Sequence, residues 1–269
     1  MALARALDER AWVLNRSGRV HFVISGQGHE GAEAGITAAL TPGRDWLLPY
    51  YRSMTGVMAM GMTPREVFLL QYGKAADPGS GGRQMPSHYG HAGHRIFTSS
   101  SPVATQVLHA AGIALAAKLR GAPEVALVAM GEGSSNQGDV HEALNFAGVH
   151  RLPMILLVEN NGYAISVPRE VQTAGGDLSK IVASFPDLLL LTVDGTDFPE
   201  SERAAAETLA LPIDRILLDN MSHEMMRALD ERILAARFDD AVHVVVLTGA
   251  GDRFFCAGAD VSKLAAMTP

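Results

Sequence analysis

Apolar and polar positions in the middle of the chain follow two different spacings. The runs Glu124–Met130 and Leu152–Val158 are almost continuously apolar, which is typical of parallel strands covered on both faces. The stretch between these runs carries apolar residues at helical spacing: Val140, Ala143, Leu144 and Ala147. Strand, helix and strand in succession predict an α/β fold with a doubly wound parallel sheet.

Weaker patterns predict further elements towards the amino terminus. Val20–Ser25 has the composition of a short strand, and the Ala-rich stretch after Gly31 suits a helix. Ser101, placed before Pro102, predicts the start of another helix, which ends at Gly121.

Two loops carry signals of their own. Ser134 and Gln137 are spaced as a capping box for the central helix. Residues 73–95 are crowded with Gly, Ser, Pro and His, which predicts a long ordered loop. Its predicted anchors are Arg83, Met85 and Tyr89.

The pattern changes after Gly195, and we place a domain boundary near residues 200–212. The residues that follow Gly195 become rich in Glu and Ala, and Ile213–Leu218 has a strand-like composition. The chain is therefore predicted to divide into a main domain, 1–200, and a partial C-terminal segment, 203–269.

Composition and charge exclude several classes of protein. Hydrophobic residues make up 48% of the chain and charged residues 19%, as in globular domains. The net charge of −7 without a basic cluster argues against nucleic acid, and no apolar run reaches the ~20 residues of a membrane span. The single Cys256 suits a reducing compartment, and acids at positions 8 and 9 argue against a signal peptide. A cytoplasmic location is expected.

A residue with a side-chain oxygen follows each of the two predicted central strands. Glu132 comes after the first strand and Asn161 after the second, so both are expected at the carboxyl edge of the sheet, where ligands bind in open α/β folds. Carboxylate and amide oxygens suit Mg²⁺, and the helix that begins near Gly138 points free N–H groups at the same place. These residues predict a divalent metal with a diphosphate, or else a Gly-rich turn and an Asn pair with structural roles only.

Longer motifs carry a family resemblance. Residues 131–147 and 159–168 resemble the thiamine-diphosphate motif of 2-oxo acid dehydrogenase alpha subunits. Gly82–Gly90 and Ser100–Gln106 resemble the branched-chain type, and Glu132 replaces the Asp of pyruvate-type members. The similarity runs from about residue 3 to Gly195.

The resemblance implies a thiamine-diphosphate-type fold and a set of ligands. It implies that Mg²⁺ is held by Glu132, Asn161 and the backbone carbonyl of Tyr163. It also implies that the cofactor is contacted by Tyr51, Arg52, Gly133 and Ser134. A monovalent cation, K⁺, is implied on Ser100, Pro102, Thr105 and Gln106.

The resemblance further implies an enzyme that decarboxylates a branched-chain 2-oxo acid and passes the acyl group to a lipoyl-bearing acyltransferase. The beta subunit of that family supplies the carboxylate that activates the cofactor, which implies a heterotetramer. We assign no catalytic residue to this chain itself.

Two other motifs are given less weight. Gly26–Gly31 fits a dinucleotide fingerprint with Asp45 downstream, but Asp45 does not end a second strand. His88, His91 and His94 recur every third residue, yet they lie on a Gly-containing loop with neither Cys nor acid nearby in the sequence, so zinc is not expected. By the resemblance, His88 flanks the active site.

The tail resembles a different family. Val244–Val261 is similar to the first half of an enoyl-CoA hydratase/isomerase (crotonase) site, and Ser222–Glu231 to the helix before it. By that resemblance, the Ala257 N–H is one oxyanion donor for a CoA thioester, while the second donor and the catalytic carboxylates come later in that family. One alternative function is therefore a crotonase-type CoA enzyme fragment. The other is a non-catalytic binding or assembly module that retains the thiamine fold.

Overall fold

Seven strands occur in a computed structural model that describes residues 1–176, 178–185, 188–210 and 216–220. They are β1 (Trp46–Leu48), β2 (Ala126–Gly131), β3 (Met154–Glu159), β4 (Tyr163–Ala164), β5 (Val167–Pro168), β6 (Leu190–Val193) and β7 (Ile216–Asn220). Five of them form one parallel sheet in the order β1-β2-β3-β7-β6, and β4 and β5 pair as a small antiparallel hairpin.

Helices connect the strands. They are α1 (Ala2–Arg16), α2 (Glu30–Ala38), α3 (Met54–Ala59), α4 (Pro64–Gln71), α5 (Thr105–Arg120), α6 (Gly138–His150), α7 (Arg169–Gln172), α8 (Leu178–Val182) and α9 (Phe198–Ala210). Short 3₁₀ segments lie at Ala92–His94, Glu132–Asn136 and Ala174–Gly176. None of the helices in the described ranges is both long enough and apolar enough to span a membrane.

Two buried clusters cover the two faces of the sheet. Leu127 and Ala129 of β2 belong to the first cluster, together with side chains of α2, α3, α4 and α9. Val128 and Met130 point to the opposite face and belong to the second cluster, with side chains of α5, α6 and α8. Burial on both faces explains the continuous apolar runs, and the prediction of a doubly wound parallel α/β fold is confirmed.

The last described elements return to the main sheet. Helix α9 packs closely on α2, because Gly35 has no side chain and a Cβ there would lie 2.5 Å from the Ser201 Cβ. Strand β7 lies between β3 and β6, so the strand expected at Ile213–Leu218 is present slightly later in the chain. Ser222 and Ala257 lie outside the described residues, and the domain limits 1–200 and 203–269 stay a prediction.

Three local predictions are wrong because polar contacts override the local pattern. Val20–Ser25 is not a strand: the Ser25 hydroxyl donates to Asp8 at 2.5 Å and its carbonyl accepts from Arg52 at 2.5 Å. Helix α5 begins at Thr105 rather than at Ser101, whose hydroxyl lies 2.8 Å from the His88 Nε2.

The capping box predicted for Ser134 and Gln137 is the third wrong prediction. The Ser134 carbonyl accepts from the Gln137 amide at 3.0 Å within a 3₁₀ turn, and α6 begins after Gln137 without a side-chain cap. The start of the helix at Gly138 nevertheless agrees with the expectation.

The loop at 73–95 is ordered, with different anchors from those expected. Tyr89 is fully buried as predicted, whereas Met85 is 48% exposed and Arg83 is also exposed. Asp77 is the anchor that the sequence reasoning missed, since its buried carboxylate accepts from the amides of Gly79, Ser80 and Gly82. An isolated acid in a Gly-rich stretch gives no signal that it organises the loop around itself.

Candidate active site

The carboxyl ends of three adjacent parallel strands bring the predicted residues to one edge of the sheet. Tyr51 and Arg52 follow β1, Glu132 begins the turn after β2, and Asn161 follows β3. Because β1, β2 and β3 are neighbours and parallel, the three segments meet.

Glu132 and Asn161 are in direct contact. The Glu132 Oε2 accepts a hydrogen bond from the Asn161 amide at 3.3 Å, and the Asn161 Oδ1 accepts from the Tyr163 amide at 3.1 Å. Glu132 is only 2% exposed, and its second oxygen, Oε1, is buried without a hydrogen-bond partner. A buried carboxylate oxygen without a donor is suited to a cation, so Glu132 fits the role of a Mg²⁺ ligand.

The environment of Glu132 favours its neutral form when no cation is bound. Burial raises the pKa of Glu132 to about 7, although the amides of Glu132 and Asn161 act in the opposite direction. Burial disfavours the ionised carboxylate, and a divalent cation would stabilise it. Binding the cation requires the carboxylate to be ionised.

Of the four residues expected at the cofactor, Gly133 and Ser134 directly follow Glu132 in the chain, and Tyr51 is close enough for the Glu132 charge to affect its pKa. The Arg52 guanidinium lies 5.3 Å from the centre of the Tyr51 ring, and burial raises the pKa of Tyr51, with a smaller contribution from the Glu132 charge. Gly133 lies beneath the β4–β5 hairpin, where a Cβ would come 2.7 Å from that of Ala164. Ser134 is buried on the same turn.

Two residues of α7 at this site were missed by the sequence reasoning. Gln172 is close to the turn, since its Oε1 would lie 3.4 Å from a Cβ on Gly133. Both polar side-chain atoms of Gln172 and the Nε of Arg169 are buried without a hydrogen-bond partner. Unsatisfied donors beside a proposed diphosphate site are candidate ligands, and only the fold of the 160–172 segment reveals them.

A buried polar network lies directly behind the strand edge. The Glu159 Oε2 pairs with the His29 Nδ1 and accepts from the Tyr50 hydroxyl at 2.6 Å. Glu33 accepts from the Gly56 amide at 3.1 Å, and burial followed by the Glu159 charge raises its pKa well above the ordinary value. Apart from the four-residue helical spacing of His29 and Glu33, no sequence spacing connects these residues.

Stability is expected to depend on pH through Glu33. A raised pKa in the folded state means that its contribution to stability is fully present below the ordinary value of 4.5 and is lost as pH rises through the raised pKa. Urea unfolding between pH 5 and pH 9 should therefore show a fall in the free energy of unfolding that is smaller in Glu33→Gln. An identical pH profile in the variant and the unchanged protein would contradict the assignment.

The residues implied for K⁺ are only partly assembled. The Gln106 Nε2 donates to the carbonyls of Val103 and Ala129 at 3.0 and 3.1 Å, which leaves its Oε1 buried without a partner. Thr105 donates to Asp139 at 3.4 Å, while Ser100 and Pro102 are exposed. The unpartnered Gln106 oxygen fits a cation ligand.

Asp45 has a structural role, which its contacts show. Its buried carboxylate accepts from the Val125 amide at 3.0 Å and from the Thr41 amide at 2.7 Å, and it forms an ion pair with Arg44. These contacts tie the turn before β1 to β2 and provide no support for a dinucleotide site.

Two family models match the chain. The model described as dehydrogenase E1 component matches residues 1–209, and the model described as enoyl-CoA hydratase/isomerase matches residues 214–268. The first match ends within the last turn of α9, and the second begins shortly before β7.

Curated relatives match about three quarters of the chain. The 2-oxoisovalerate dehydrogenase subunit alpha of Bacillus subtilis is 52% identical over 207 residues, covering 77% of this chain and 62% of the relative. The human mitochondrial subunit of the same name is 38% identical, covering 73% and 44%. The pyruvate dehydrogenase E1 component subunit alpha of Staphylococcus aureus is 35% identical, covering 73% and 50%. The chain thus spans between 44% and 62% of the length of these relatives.

A solved structure from Mycobacterium smegmatis, described as a thiamin diphosphate-dependent enzyme, aligns with 20% identity and a TM-score of 0.44. The alignment covers 82% of this chain and 32% of that one.

Proposed function

Because this chain belongs to the dehydrogenase E1 component family, we propose that it functions as the alpha subunit of a branched-chain 2-oxo acid dehydrogenase. The 52% identity to a 2-oxoisovalerate dehydrogenase subunit supports the branched-chain class over the pyruvate class, whose named relative is 35% identical. The chain covers only part of its relatives, so activity, substrate and partners all belong to this proposal.

The contact between Glu132 and Asn161 carries the proposal. Glu132, Asn161 and the Tyr163 carbonyl hold Mg²⁺ in this assignment, and Tyr51, Arg52, Gly133 and Ser134 contact thiamine diphosphate. When bound, thiamine diphosphate supplies the electron sink for loss of CO₂ from a 2-oxo acid. The buried Glu132 oxygen and the Arg52 charge support a site for a metal–diphosphate pair.

The residues of this chain position the cofactor and neutralise its charge. The proposal assigns the carboxylate that activates the cofactor to a beta subunit, as the family resemblance implies, and makes a lipoyl-bearing acyltransferase the acyl acceptor. The family resemblance implies that the two kinds of subunit assemble as a heterotetramer.

Calorimetric titration of thiamine diphosphate into the purified chain tests the function. We expect binding that requires Mg²⁺, together with decarboxylation of a branched-chain 2-oxo acid only after a beta subunit is added. Failure to bind the cofactor with both Mg²⁺ and the beta subunit present would contradict the proposal. Hydration of a short enoyl-CoA by the chain alone would instead favour the crotonase alternative.

Replacement of Na⁺ by K⁺ is expected to raise the melting temperature. An ion that binds only the folded state stabilises it by mass action, and Gln106 Oε1 offers a buried oxygen to that ion. Thermal melts in matched chloride salts should show the difference in the unchanged protein and not in Gln106→Met. Equal melting temperatures in the two salts would argue against a K⁺ site on Ser100, Pro102, Thr105 and Gln106.

A further inference from the structure

His91, His94 and Glu66 lie together at a partly buried position, and none of them is among the residues assigned to the proposed active site. Among the described residues, they are the one group of His and acidic side chains close enough to hold a metal ion, with one ligand atom from each lying within 4.8 Å of the others. The expectation that no acid accompanies these histidines is therefore wrong. Glu66 is brought to them by the fold from a separate helix.

We propose that Glu66, His91 and His94 form a Zn²⁺ site that joins the 91–96 turn to α4. Two imidazoles and a carboxylate are a common donor set for zinc with three protein ligands, and the fourth position is left to water. Nitrogen donors favour zinc over Mg²⁺ or Ca²⁺, which take oxygen ligands. The inference does not depend on the proposed function, because none of the three residues belongs to the site at the sheet edge.

The geometry around Glu66 is suited to a metal ligand. The His91 Nε2 lies 3.4 Å from the Glu66 Oε1. Zinc ligands at about 2.0–2.2 Å from the ion are about 3.3–3.6 Å apart in a tetrahedron. The other oxygen, Oε2, accepts from the amide and hydroxyl of Thr63 in a capping box at the start of α4. Glu66 is thereby held in place while Oε1 faces the histidines.

Both histidine rings are held in position by the backbone. The ring of His94 packs against Gly61, where a Cβ would lie 2.8 Å from the His94 Nδ1 and φ is +115°, so only glycine is tolerated there. The two rings are in contact, with centroids 4.1 Å apart and planes tilted by 37°. His91 exchanges two backbone hydrogen bonds with Ile96, which closes the turn that carries both histidines.

Metal binding requires both rings of this pair to be neutral. One cation can then be shared by the two imidazoles and a carboxylate. The His94 amide donates to the His91 Nδ1 at 3.2 Å. Ligation through Nε2 places the imidazole proton on Nδ1, so this contact is given up when the metal binds.

Metal binding would connect two parts of the fold. The backbone of Arg95 and Phe97 hydrogen-bonds to Leu47 of β1, so the turn is already attached to the edge of the sheet. A bound ion would also link this turn to α4 through Glu66. Zinc is therefore expected to stabilise the folded chain, and the effect should be independent of thiamine diphosphate.

Titration of ZnCl₂ into the full chain, stripped of metal and kept in saturating Mg²⁺, tests the site. We expect one tight site per chain, a rise in melting temperature on zinc addition, and the intense visible absorption of tetrahedral Co²⁺ when CoCl₂ is used instead. A weak octahedral Co²⁺ spectrum, or the absence of a tight site, would overturn the proposal.

Variants separate this site from other histidines of the chain. His94→Ala and Glu66→Gln each change a direct ligand, so each should weaken zinc binding by at least about tenfold, the smallest loss typical of changing an outer-shell partner of a metal. Gln is accepted at the third position of a capping box, so Glu66→Gln keeps the start of α4. His21→Ala, at an exposed residue, should bind zinc normally. Equal affinity in all three variants would disprove the assignment.

Discussion

Glu132→Gln is expected to abolish Mg²⁺-dependent binding of thiamine diphosphate while leaving the fold intact. Gln keeps the size of the side chain and can still accept from the Asn161 amide, but it removes the negative charge that a divalent cation requires. Calorimetry at saturating Mg²⁺ should show at least about a 100-fold loss of cofactor affinity. Glu142→Gln, at an exposed residue of α6, is the matched control and should bind normally.

The same variant should be more stable than the unchanged protein when no metal is present and the pH is above 7. The pKa of Glu132 is raised from 4.5 to about 7, so its contribution to stability is present below pH 4.5 and lost as pH rises through 7. The shift corresponds to about 3 kcal/mol, from which the cost of burying the Gln amide must be subtracted. Cofactor binding that survives Glu132→Gln would show that the metal ligand is a different residue.

Glu159→Ala is expected to lower the free energy of unfolding by about 3 kcal/mol. The variant leaves the buried Tyr50 hydroxyl and the His29 ring without their shared acceptor. Urea unfolding at pH 7 measures the change, and Tyr50→Phe should cost less, about 1 kcal/mol.

A matched control distinguishes the network from a general effect of removing a carboxylate. Glu170 has a side chain that is 67% exposed, so Glu170→Ala should change the unfolding free energy by less than about 0.5 kcal/mol. The pH dependence assigned to Glu33 should also weaken in Glu159→Ala, because the charge that raises the Glu33 pKa is gone. A loss below about 1 kcal/mol in Glu159→Ala would show that the network contributes little to stability.

The central strand–helix–strand unit could be predicted because its signals are local. A continuous apolar run such as Leu152–Val158 is compatible with water only when both faces are covered, which helices on both sides of a parallel sheet provide. Polar residues that follow such strands must then meet at one edge. Glu132 and Asn161 were found in this way, and their contact is present in the structure.

The local sequence pattern gave wrong predictions of secondary structure where a polar group from a distant part of the chain bound the segment. Val20–Ser25 has strand-forming residues, yet Asp8 and Arg52 bind Ser25 and no strand of the described part of the chain pairs with it. The start of α5 moved for the same reason, since Ser101 contacts His88 rather than capping a helix. Hydrogen bonds between residues far apart in sequence leave no periodicity to read.

The sequence by itself determined the α/β class, the family and the strand ends at which the candidate site lies, because these follow from apolar spacing and from motifs a few residues long. Only the tertiary structure decided which polar atoms are buried without partners, such as the Glu132 Oε1 and the Gln106 Oε1. It also decided that Glu66 faces His91 and His94. Burial and proximity are properties of packing between segments, and packing places residues together that the chain keeps far apart.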